Sequence, residues 1–122
     1  MADTWLKDYY DDVDNMRLEE FVARHTDDVM VQFGNNPPAN GKDEVRGAIG
    51  YFWEMIGGLK HNFVNVIEDG DVTVLEANID YLRKDDGQTV TVPCVSILRR
   101  NGELVEQLKM FLDLAPVFSP AS

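Results

Sequence analysis

The chain holds only two histidines, and one of them, His61, opens a stretch of alternating side chains in which Phe63, Asn65 and Ile67 share its face. An imidazole with a reference pKa of about 6.5 can take a proton and return it near neutral pH. Tyr10 offers a neutral phenol that can donate a hydrogen bond to a carbonyl or enolate oxygen. Tyr9, about 100° around a helix from it, is the alternative. Asp14 stands four residues after Tyr10, one helical turn on, where a carboxylate can orient the histidine or act as an acid; Asp11 competes for that role. Asp80 alternates with Val74, Glu76, Asn78 and Leu82, while Leu75, Ala77, Ile79 and Tyr81 take the other face. Alternation alone does not say which face meets the core. Cys94 follows Pro93 in an apolar run and reads first as a packed, inert thiol, second as a nucleophile paired with His61 on a neighbouring strand. These types suit proton abstraction beside a carbonyl, with His61 as base, Tyr10 as oxyanion donor, and Asp14 or Asp80 orienting or protonating. Phe33, Phe52, Trp53, Met55, Asn78, Cys94, Leu108 and Met110 are the expected lining of a binding pocket.

Two helices and a meander have to position these groups. Trp5, Leu6, Tyr9, Tyr10, Val13 and Met16 recur at three- and four-residue spacing, predicting an amphipathic helix capped by Asp3 or Thr4 and broken near Asp14-Asn15. Leu18, Phe21 and Val22 form a second short apolar face that ends around His25. Val29–Phe33 reads as a strand, closed by Gly34-Asn35-Asn36-Pro37-Pro38. Gly41-Lys42-Asp43-Glu44 opens a helix with Val45, Ala48, Ile49, Phe52, Trp53 and Ile56 on one side, and Gly57-Gly58 is the expected stop. From there the period changes. His61–Ile67, Asp71–Arg83, Thr89–Arg99 and Leu104–Leu114 are β-branched and alternating, joined at Asp69-Gly70, Asp86-Gly87 and Asn101-Gly102. Helices followed by an antiparallel meander predict an α+β fold, a single domain over residues 1–122 whose twisted sheet wraps its helices and leaves a cavity.

Composition narrows the function. The 122 residues carry 11 basic and 22 acidic side chains, a formal charge of −11, which argues against a nucleic-acid binder or a basic membrane-surface helix. Residues 1–28 alone hold nine acidic and three basic groups, most simply a solvated helix face. One cysteine excludes an internal disulfide and suits the cytoplasm; the polar start is unlike a signal peptide, and no apolar run reaches membrane-spanning length. No Cys-x-x-Cys, His-Glu-x-x-His, Gly-rich phosphate loop or Gly-x-Ser-x-Gly occurs, so no metal or cofactor is expected.

Tyr9-Tyr10 in the first helix, Thr26-Asp27-Asp28-Val29-Met30-Val31, Gly41-Lys42-Asp43-Glu44-Val45, Gly58-Leu59-Lys60-His61 and Asp113-Leu114-Ala115-Pro116-Val117-Phe118 carry a family resemblance across essentially the whole chain. The chain resembles the nuclear transport factor two-like superfamily, and within it the SnoaL-like polyketide cyclases and ketosteroid isomerases. The resemblance implies a cone-shaped fold, a largely apolar pocket open at one end, a small apolar organic ligand and a homodimer. It also separates the reactions. Phe33 falls where the isomerases carry their carboxylate base, and Ser96 near their protonated acid. Of the Arg-x-Asp and distant aspartate of the limonene-epoxide-hydrolase relatives, Asn78-Ile79-Asp80 and Lys109-Met110 keep one of three. The dehydratase pattern fits better, with Tyr9 or Tyr10, Asp11 or Asp14, and His61 in comparable places, but it lacks a second histidine, since His25 is not its equivalent. The expected function is a cofactor-independent lyase, isomerase or cyclase acting on a small carbonyl compound. The alternatives are a non-catalytic binder of the same ligands and, third, an interaction protein.

Overall fold

Residues 4–119 are described by a computed structural model of the protein. Helix α1 (Thr4–Asp14) buries Leu6, Tyr9, Tyr10 and Val13, the i, i+3, i+4, i+7 stripe of an amphipathic helix. Thr4 begins the helix and Asp3 lies outside the described residues. Met16 turns the chain with φ 51°, a left-handed value uncommon for a residue with a Cβ. Helix α2 (Leu18–Ala23) then packs back on α1. Asp12, 5% exposed, ties the two helices together by accepting from Arg24 Nε at 2.6 Å and from Arg17 Nη1 at 3.2 Å.

Strand β1 (His25–Phe33) starts four residues earlier than the apolar pattern suggested, because the polar Thr26-Asp27-Asp28 stretch also takes extended geometry. A two-residue β2 (Ala39–Asn40) pairs with it, and Gly41 opens helix α3 (Gly41–Glu54). The long strands follow as β3 (Ile56–Asp69), β4 (Val72–Arg83), β5 (Thr89–Asn101) and β6 (Leu104–Leu112), and a short α4 (Ala115–Phe118) ends the described chain. The sheet order is β2-β1-β6-β5-β4-β3, with β3 to β6 a simple antiparallel meander and β1 parallel to β6. The result is a curved, unclosed α+β sheet with its helices on one face, as the sequence pattern predicts.

Two corrections concern β3. Gly57 and Gly58 do not stop α3, which ends at Glu54; they lie inside the strand. A Cβ on Gly57 would come within 3.0 Å of the Leu82 side chain, so the glycine lets β3 run close against β4. Farther along, the register with β4 shifts between Phe63 and Asn65. A β-bulge of this kind reverses which side chains face inward. His61 and Phe63 therefore face the helices, while Asn65 and Ile67, expected on the same face, lie outside; Asn65 Nδ2 donates to Glu76 Oε1 at 2.6 Å there.

The core fills the space between the sheet and α1–α3. Leu75, Ala77, Ile79 and Tyr81 of β4 and Val92, Cys94, Ser96 and Leu98 of β5 are all buried, each strand showing the period of two. At the far end Arg83 is buried and donates to the carbonyls of Pro116 and Ser119, mooring α4 across the sheet.

Candidate active site

Helix α1 ends with Asp14 directly over the middle of β3. Asp14 Oδ1 lies 2.7 Å from His61 Nδ1, and Asp14 Oδ2 accepts the backbone N–H of His61 at 3.0 Å. An ionised carboxylate only accepts, so in the neutral ring the proton sits on Nδ1 and Nε2 carries the lone pair. The two ring nitrogens diverge, which turns Nε2 away from Asp14. Two contacts to one carboxylate fix the imidazole in both position and tautomer.

Tyr10 lies against this imidazole with ring centroids 4.5 Å apart. Its hydroxyl is buried without a hydrogen-bond partner. Burial raises its pKa; Ser96 stands near enough to offset part of that rise without completing a hydrogen bond. The hydroxyl stays protonated at ordinary pH, a donor with nothing to donate to. Tyr9 is settled differently. Its hydroxyl lies 2.8 Å from His25 Nε2, and His25 Nδ1 donates to the Phe21 carbonyl at 2.7 Å. His25 is fully buried, and burial pushes its pKa down to about 4, so it is neutral and Nε2 accepts from Tyr9. Of the two candidate tyrosines, Tyr10 is the one beside His61. Of the two candidate aspartates, Asp14 is, while Asp11 accepts from Arg17 at 3.0 Å on the surface.

A cavity of about 40 Å³ lies between the helices and the sheet. Phe33, Trp53, Cys94, Leu108 and Met110 line it as expected, together with Tyr10 and His61. Phe52 lines it as expected too, and so do Leu59 and Leu112, half-buried like Phe33 and Met110. Among the described residues no Lys, Arg, Asp or Glu side chain borders it. On the outer side of α1, Lys7, Asp11, Asp14 and Phe63 border an open groove of about 310 Å³ that Tyr10 and His61 also reach. The Tyr10–His61 pair thus stands between the apolar cavity and the open groove.

Three expected site residues fall elsewhere. Asp80 and Asn78 lie on the outer face of β4, because the Leu75–Tyr81 set is the one the helices cover. There Asp80 accepts from Thr91 Oγ1 at 2.6 Å and Asn62 Nδ2 at 3.1 Å, and these bonds hold its carboxyl below its ordinary pKa. Met55, 42% exposed, caps the end of α3 and does not reach the cavity. The Cys94–His61 nucleophile pair also fails, because β4 runs between their strands and burial pushes the Cys94 thiol pKa up. Cys94 packs as a small apolar group, its Sγ 3.6 Å from Ser96 Oγ. With Asn78, Asp80 and Lys109 on the outer face, the epoxide-hydrolase triad has no counterpart in the cavity. Among the described residues no group of three His, Cys, Asp or Glu could hold a metal ion, and no helix is long and apolar enough to cross a membrane.

The SnoaL-like domain profile matches residues 6–107, and the chain belongs to that family. Solved structures agree on the fold. A nuclear transport factor two-like protein of unknown function from Burkholderia pseudomallei superposes with a TM-score of 0.85 at 16% identity, covering 96% of both chains. A hypothetical protein with a ketosteroid isomerase-like fold from Catenulispora acidiphila, in complex with trimethylamine, gives 0.87 at 15% identity over 98% of this chain and 92% of that one. A candidate SnoaL-like polyketide cyclase from a Jannaschia species gives 0.79 at 18% identity over 97% and 94%. No functionally curated protein matches the chain.

Proposed function

We propose that the protein is a cofactor-independent enzyme that moves a proton on a small, uncharged, largely apolar carbonyl compound. The observation that carries this reading is the double contact of Asp14 on His61, which commits Nδ1 to hydrogen-bond donation and leaves the lone pair on Nε2 of a ring that borders an apolar cavity. His61 Nε2 takes a proton from the carbon beside the carbonyl; the C–H pair becomes the enolate C=C, and the charge on oxygen is met by the Tyr10 hydroxyl. The imidazolium, held by Asp14, then returns the proton. Delivered to a β-hydroxyl it expels water, delivered to another carbon it isomerises the substrate, and after enolate attack on a second carbonyl it completes a cyclisation. A cavity free of charged side chains excludes a carboxylate or phosphate on the buried part of the ligand.

A panel of small cyclic ketones in D2O tests this without knowledge of the natural substrate. Wild-type protein should catalyse deuterium incorporation beside the carbonyl, read by mass spectrometry, and His61→Ala should not. Ligand binding with no exchange by wild type would make the protein a binder.

We also propose that two copies pair through the outer sheet face. Ile67, Val95 and Phe111 are 62%, 39% and 50% exposed there, with Val74 and Ile97 between them. Phe111→Lys should convert a dimer to a monomer in light scattering. A lone, buried, free thiol suits the reducing cytoplasm, where we place the protein.

A further inference from the structure

We infer that residues 113–119, with α4 at their centre, are a strap that a ligand lifts to enter the cavity, and that Arg83 is its latch. This rests on the reading of the cavity as a ligand site and not on the reaction proposed for it. The size of the cavity requires a wall that yields. About 40 Å³ takes roughly three waters. Pockets that hold organic ligands enclose about 300–1,000 Å³. A ring ketone is accommodated only if some wall moves. Most of the lining belongs to α1, α3 and the sheet, where Tyr9, Val13, Ile49, Ile79 and Leu108 are buried in the core. The strap is held more lightly. It follows the lining residue Leu112 through two residues without regular structure, and Val117 is the one buried residue of α4. Phe118 packs against the lining residue Phe52, with ring centroids 6.0 Å apart. Arg83, its anchor, stands two residues after the lining Tyr81 on the same face of β4. Bounded in this way by Leu112, Phe52 and Tyr81, the strap lies across one end of the cavity.

Polar bonds make the strap a separate body with a breakable tether. Inside it, the Ala115 N–H donates to Asp113 Oδ1 and Ser119 Oγ donates to the Ala115 carbonyl, so the segment moves as a unit. Arg83 Nη1 donates to the Pro116 carbonyl at 2.6 Å, and Nη2 to the Ser119 carbonyl at 2.5 Å. On its own hairpin Arg83 Nε also donates to Asp86 Oδ1 at 3.1 Å, and Nη2 lies 3.5 Å from Asp85 Oδ2. A buried cation with no other partner would resist losing the strap. Arg83 stays paired with the two carboxylates when the strap lifts, and the freed carbonyls meet water. A ligand too large for the closed cavity binds only the lifted state, so its affinity is reduced by the fraction of molecules in that state. Weakening the latch therefore tightens binding, the reverse of losing a contact that shapes the site.

Two apolar probes of different size test this: nitrobenzene, too large for the closed cavity, and xenon, a single atom that enters closed apolar cavities. Quenching of the cavity-lining Trp53 in a Trp5→Phe background follows nitrobenzene, and the xenon NMR shift follows xenon. Arg83→Gln and Phe118→Ala should each tighten nitrobenzene about three- to tenfold and leave xenon within about twofold. Phe118 is 41% exposed, so its variant keeps the test alive if Arg83→Gln does not fold. Nitrobenzene binding that is absent, unchanged or weakened in the folded variants, or equal tightening of both probes, would overturn the strap. Tightening in Phe118→Ala but not in a folded Arg83→Gln would overturn the latch. Selective tightening in a protein that catalyses no deuterium exchange would sustain the strap and remove the reaction. Binding of neither probe by any form overturns both the cavity reading and this inference.

Discussion

Adjacent residues of α1 reach two different histidines, and the two pairs end in opposite states. Tyr9 and His25 close on each other, every polar atom of both rings satisfied and sealed under Phe21. Tyr10 and His61 stack without a hydrogen bond between them, and the histidine is held from its other edge by Asp14. The same two side-chain types make a structural lock in one place and an unsatisfied donor beside an oriented imidazole in the other. The difference lies in the partner. A backbone carbonyl fixes His25 within a closed network, whereas a carboxylate that is 22% exposed fixes His61 beside the open groove.

If that contrast is right, the largest effects belong to the open pair and should appear in turnover. His61→Ala should lower deuterium exchange more than a hundredfold with little change in unfolding midpoint. Asp14→Asn should cost nearly as much, because a side-chain amide can donate to Nδ1 and so move the ring proton to Nε2. Exchange retained in Asp14→Asn would show that the carboxylate only packs.

The closed pair should instead dominate the acid response. His25 protonates at about 4 in the folded protein and near 6.5 when unfolded, so the unfolded chain binds more protons between those values. Stability is complete above pH 6.5 and falls as the pH drops toward 4, by roughly 3 kcal/mol in all. Urea unfolding between pH 7 and 5.5 measures the start of this fall above the range where most carboxylates titrate, and a flat profile would refute a buried neutral His25.

The smallest effects compare the two hydroxyls directly. Tyr9→Phe strands His25 Nε2 and should destabilise by about 1–3 kcal/mol. Tyr10→Phe removes a group with no partner and should change stability by less than about 0.5 kcal/mol while lowering exchange at least tenfold. Equal stability losses in the two variants would erase the distinction between the pairs.

Much of this was legible before any coordinates. Helical spacing located α1, α2 and α3, and the three Asn-Gly or Asp-Gly turns located the meander. The residues His61, Tyr10 and Asp14 could be singled out because a turn of helix and the start of a strand confine them to few relative positions. Three things were not legible. The face of Asp80 depended on which side of β4 the helices cover, and polar side chains on a half-exposed sheet alternate identically either way. Tyr81 reads as core on any pattern, and nothing in its alternation marks the cavity beside its ring. Alternation puts Asn65 and Ile67 on the face of His61, because a bulge leaves no mark in an alternating sequence.

That bulge turns β3 into a text read in two frames. From Leu59 to Phe63 the odd residues face the helices, and beyond the bulge the even residue Val66 does, opposite Leu75. The first frame writes the proposed site and the second sets Ile67 toward the proposed partner copy. Removing the extra residue, Val64, would close the ladder into a single frame with Phe63 and Val66 still inward and Asn65 and Ile67 still outward. Elsewhere in the strand the loss of one residue flips every face beyond it, so the bulge is the point at which β3 can absorb an odd change in length.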